Sequence, residues 1–124
     1  MNHKTAALGA LLCAASVALG AFGAHLIADH VSAERLATWH TATRYLGTQG
    51  LGVLLLSLAK QEMKLPIILL ISGTLVFCSA LLLIVLTNTS WLGAIAPIGG
   101  LLMIGGWLTA AFKFYRCESP ENSK

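Results

Sequence analysis

Four apolar runs, Thr5 to Ile27, Leu46 to Ala59, Pro66 to Leu86 and Trp91 to Phe114, fill most of the chain. A helical-period stretch prolongs the second toward its N-terminal side. Runs of this length call for lipid as the solvent. A hydrocarbon core of about 30 Å takes about 20 apolar residues to cross, and as a helix, because every backbone N–H and C=O must be satisfied inside the segment. The expected fold is therefore an all-α membrane protein. Its four transmembrane helices, at about 5–27, 41–59, 66–86 and 91–114, form an antiparallel bundle. Composition agrees, with 56% hydrophobic and 10% charged residues, against about a quarter charged in soluble domains. No polar block or Pro/Ser-rich linker of domain size interrupts the runs, so residues 1–124 are read as one domain.

The placement of charge says more than its sum. With four spans, the N-terminus, the Lys60–Leu65 loop and the C-terminal tail share one side, carrying Lys4, Lys60, Lys64, Lys113, Arg116 and Lys124. Only Arg35 and Arg44 lie on the other side. The positive-inside rule then puts both termini in the cytoplasm. The basic residues stand singly, without a basic run or interleaved aromatics, so the expected partner is the lipid bilayer and not nucleic acid. Cys13, Cys78 and Cys117 include no CxxC and no pair on the oxidising side, which speaks against a disulfide or a cysteine metal site. The first run exceeds the ~7–15 residues of a signal-peptide core, so it is read as a retained span.

The first span is rich in small residues, with Gly9, Cys13, Ser16, Gly20, Gly23 and Ala24 recurring every three or four positions. Helix association in lipid depends on close backbone approach, and this places the first helix at the packed centre. Ser32 is a good N-cap for a second helix, and Glu34 suits its first turn. That helix is expected to start as an amphipathic interfacial segment, with Trp39 and Tyr45 at headgroup level. Pro66 opens the third span where a missing N–H is harmless. In the fourth span Pro97 falls inside the apolar run, ahead of Gly99 and Gly100, and predicts a kinked helix 4.

Chemistry has few places to sit. His25 and Asp29, at i and i+4, offer two ligands on one helix face, with His30 or His40 as a third, and such a set suits Zn²⁺ or Cu²⁺. No HExxH or CxxC fixes that geometry, and helix capping or headgroup contact is the stronger account of these groups. No Asp, Glu, Lys or Arg lies deep in a span, as a transporter would normally require. Hydrolase motifs are absent as well. His25, Gln49 and the Pro97 break read as three elements at one depth near the outer boundary, able to seal the helices there by interhelical bonds.

Gly20-Ala21-Phe22-Gly23-Ala24-His25, then Trp39-His40-Thr41-Ala42 with Tyr45, and Pro97-Ile98-Gly99-Gly100 followed by Gly106-Trp107, carry a likeness along nearly the whole chain. The sequence resembles the YgdD-like inner-membrane proteins, the family of the domain of unknown function four-two-three. The resemblance implies four helices in a bacterial inner membrane and supplies no reaction. Relatives usually carry His where this chain has Gln49, Ser-Gly-Ser where it has Cys78-Ser79-Ala80, and Thr where it has Ala96. A site built from two histidines in that family would be incomplete here.

The expected function is that of a small integral inner-membrane protein without enzymatic activity or cofactor. It would act as an accessory or interaction subunit, bound to another membrane protein or to a second copy of itself. Two alternatives stand beside this. One is a channel or carrier for a small solute, with Gln49, His25 and the Pro97 break lining a vestibule. The other is a metal-binding protein that uses His25 at the outer face.

Overall fold

The computed structural model describes residues 2–117, so Lys124 and most of the tail counted in the charge tally lie outside the described residues. The fold is helical: α1 (His3–Phe22), α2 (Ala33–Ser57), α3 (Lys64–Thr87) and α4 (Ala96–Cys117). A π-helical turn, Gly23–Ile27, extends α1, and a 3₁₀ turn, Ser90–Ala94, precedes α4. Among the described residues three stretches are long and apolar enough to cross a membrane, His3–Ile27, Lys64–Thr87 and Ser90–Cys117. α2 has the length, but its first half carries Glu34, Arg35, His40 and Arg44, with Gln49 beyond them.

Caps set the helix ends. Asn2 Oδ1 accepts from the N–H groups of Lys4 and Thr5, and Ser32 Oγ accepts from Arg35 N–H at 3.2 Å, the N-cap its sequence position predicts. Asn88 closes α3 in the left-handed region, φ 54°, with its N–H on the Ile84 carbonyl. A further free carbonyl of that last turn, Val85 O, accepts from the Arg35 guanidinium of α2. A cation at a helix C-terminus is the favoured charge there.

Contacts at one end order the helices. Asn2 N–H donates to Ser57 O, and Lys113 Nζ lies 3.0 Å from Glu62 O. α1 and α3 thus start at one end of the molecule, where α2 and α4 finish. This is called the lysine end below, since Lys4, Lys60, Lys64 and Lys113 lie there. The opposite, histidine end carries His25, Asp29, His30, Glu34 and Arg35.

α2, not α1, is the central helix. It packs along both α1 and α3, while α4 lies mainly against α3. It buries Trp39, Ala42, Thr43, Leu46, Gln49, Gly50, Gly52, Val53, Leu56 and Ser57, whereas α1 buries only Gly9 and Leu12. Small residues give α1 one close seam and leave the rest of the helix facing out. At that seam a Cβ on Gly9 would stand 2.7 Å from the Leu54 backbone nitrogen, and Gly50 meets Gly9 O and Leu12 from the other side. A Cβ on Gly20 would meet nothing within 4 Å, so Gly20 is not a packing position, and Ala24 is exposed.

Two further expectations are corrected. Pro97 stands in the first turn of α4, after a separate 3₁₀ turn, so its missing N–H falls where helices leave donors free and no helix interior is broken. Trp39 is 2% exposed, wedged between α1 and α3 and not spread at a headgroup surface. Tyr45 is partly exposed, but midway along α2, its ring 5.0 Å from that of Phe77. The outer surface is apolar, with Leu11, Val17, Leu55, Leu101 and Leu108 well exposed, while glycines and hydroxyls fill the seams. Lipid selects for that distribution.

Candidate functional site

The inward polar groups are almost all spent between or within helices. Ser16 Oγ donates to Thr43 O at 2.7 Å, and the thiols of Cys13 and Cys78 point at the Gly47 and Ala42 carbonyls. Ser57 Oγ lies 2.7 Å from both Thr5 Oγ1 and Val53 O. Two buried atoms lack a partner among the described residues, Thr74 Oγ1 and Arg35 Nε.

Trp39 forms the clearest lock. Its indole lies against Gly23, where any Cβ would overlap the ring, and Nε1 donates to Leu19 O at 2.7 Å. The π turn starts at this point, with Ala28 N–H reaching back to Gly23 O. Such a turn shifts the hydrogen-bond ladder by one residue, which suits it to a place where a carbonyl is shared. Phe22 packs beside the same indole, ring centroids 6.0 Å apart.

Gln49 forms the second lock. It is 6% exposed, and its Oε1 accepts from Trp107 Nε1 of α4 at 2.7 Å, while the far edge of that indole covers Gly52. Gln49 lies level with the Gly9–Cys13 stretch of α1, because Gly50 touches Leu12 and Gly47 accepts from Cys13. His25 is more than two turns farther along, exposed, just past the Trp39 lock. The structure therefore separates His25 from Gln49. Nor do His25, Asp29, His30 and His40 assemble into a ligand set, since no group of three His, Cys, Asp or Glu side chains suited to a metal forms among the described residues.

Gly99 completes the seams. A Cβ there would lie 2.5 Å from Phe77 N and 2.7 Å from Gly73 O, so α3 and α4 touch backbone to backbone. Gly100, one residue on, faces open space. Trp107 was absent from the sequence-derived site. Its pairing with Gln49 brings together positions 58 residues apart, which no local pattern announces.

Two cavities open at the lysine end. One of about 670 Å³ lies among Asn2, Thr5, Ser57, Lys60, Lys64 and Ile67. Another, of about 450 Å³, lies beside Leu65, Phe112, Lys113 and Arg116. Glu62 stands between them. Its carboxylate accepts from Lys64 N–H at 2.8 Å and pairs with Lys113 at 3.4 Å. The Lys64 N–H first, and then the Lys113 charge, hold its pKa below the usual carboxylate range.

Residues 19–100 match the family described as a protein of unknown function, DUF423. The chain belongs to this family. A UPF0382 membrane protein of Staphylococcus haemolyticus is 38% identical over 114 residues, covering 86% of this chain and 93% of the relative. One from Staphylococcus epidermidis is 40% identical with the same coverage. A third, from Staphylococcus saprophyticus, is 39% identical over 105 residues, 82% of this chain and 88% of its own. No solved structure matches. Within the DUF423 chain described here, the motif residues Gly23, Trp39, Gly99 and Trp107 all lie in interhelical seams.

Proposed function

We propose that the protein is a non-enzymatic accessory or interaction subunit of the bacterial inner (plasma) membrane, crossing it four times with both termini in the cytoplasm. The carrying observation is that its interior polar groups are consumed by helix contacts: Ser16, Ser57, Trp39, Cys78 and the Gln49–Trp107 pair each bind a neighbouring helix. Groups so engaged serve as interhelical glue. Substrate handling needs such groups uncommitted and convergent.

Four crossings are supported by the end contacts. α2 meets Leu19 and Val85 at the histidine end and Asn2 at the lysine end, so it spans whatever thickness α1 and α3 span. Among the polar residues of α2, this central position buries Thr43, Gln49 and Ser57 away from lipid. The concentration of lysine at one end supports a cytoplasmic placement of that end.

The test is extraction from native membranes in a mild detergent, followed by sizing and mass spectrometry of the purified material. The expected result is a defined complex, with a stoichiometric membrane-protein partner or a fixed number of copies of this chain. A monodisperse monomer that carries a small solute across proteoliposome membranes would overturn the reading.

A further inference from the structure

The larger cavity at the lysine end has the parts of a lipid site. It is lined by the polar residues Asn2, Thr5 and Ser57 and by the apolar residues Leu56, Ile67 and Ile68. Lys60 and Lys64 stand at its rim. Neither ammonium makes a hydrogen bond or ion pair among the described residues. The one acidic residue in the lining, Glu62, is bound to Lys64 N–H and to Lys113, although Lys64 adds weakly to its field. With that carboxylate held mainly by Lys113, Lys60 and Lys64 leave the rim with an excess of positive charge. Ile68 is 50% exposed, so the apolar lining continues onto the outer surface of α3.

We propose that this groove seats one anionic phospholipid of the adjoining leaflet, with Lys60 and Lys64 on the phosphate and an acyl chain along Ile67 and Ile68. The groove's opening toward lipid along Ile68 favours a lipid over a free phosphate. Basic pockets between helices at the cytoplasmic surface are suited to anionic headgroups, and each lysine near the surface adds to the attraction. The proposal goes beyond the accessory role and is independent of it, needing only that the lysine end lie at a membrane surface.

Native mass spectrometry of the full chain in neutral detergent, titrated with phosphatidylglycerol or phosphatidylcholine, tests it. Wild type should retain one phosphatidylglycerol, bound on the order of tenfold or more tighter than phosphatidylcholine, with the preference lost in Lys60→Gln/Lys64→Gln. Ile68→Trp, which obstructs the groove without changing charge, should weaken binding as well. The charge-matched variant Lys4→Gln/Arg116→Gln should keep the preference. Equal retention of the two lipids, equal loss in the charge-matched variant, unchanged binding in both groove variants, or full displacement by inorganic phosphate would each overturn the assignment.

Discussion

The residues that decide this structure are those with least side chain. At Gly9 a methyl group would press on the backbone of α2, a neighbour that cannot rotate away, whereas at Gly20 the same group would enter open space. Gly9→Leu should therefore destabilise the fold by about 1–3 kcal/mol, the usual cost of overpacking. Gly20→Leu should melt like wild type in detergent. Thermal unfolding of the two variants side by side checks this, and equal melting temperatures would contradict the seam. Four glycines, Gly20, Gly23, Gly99 and Gly100, look alike as packing residues in the sequence. Only the neighbour across the gap separates Gly23 and Gly99 from the other two.

At the scale of elements, α3 and α4 are tied at the lysine end by Glu62, and α2 and α3 at the other end by Arg35 on Val85 O. The Glu62 tie carries a pH signature. Its folded pKa is lowered, so its contribution is complete above the unfolded carboxylate value of about 4.3 and fades as pH falls through the lower folded value. Wild type should melt slightly above Glu62→Gln near neutral pH, and the gap should close on acidification through the lowered carboxylate value. A gap independent of pH would mean that packing, not charge, distinguishes the two. Ser32 as the cap of α2 and Pro66 in the first turn of α3 were legible because caps and proline act within a turn of themselves. Pro97 was misplaced for a related reason. The apolar run continues through Trp91–Ala96, and hydropathy does not register the change from a 3₁₀ turn to an α-helix there.

For the whole molecule, the arrangement of ends predicts topology. Thiol-labelling of a cysteine-free background should find a cysteine at Lys60 accessible from the cytoplasm and one at Val31 accessible only from outside. The reverse pattern would invert the orientation drawn from the lysines. The four apolar runs, the helical class and the lysine-rich end were written in the sequence, because lipid imposes length, polarity and charge bias segment by segment. Which helix lies at the centre was decided only by tertiary structure. α2 is the least apolar of the four, and it takes the middle because there its Thr43 carbonyl accepts from Ser16 of α1, its Gln49 accepts from Trp107 of α4, and its glycines fit against both helices. The separation of His25 from Gln49 was likewise decided by register, since the level at which two helices meet depends on which small residues interlock and not on distance from the end of a run.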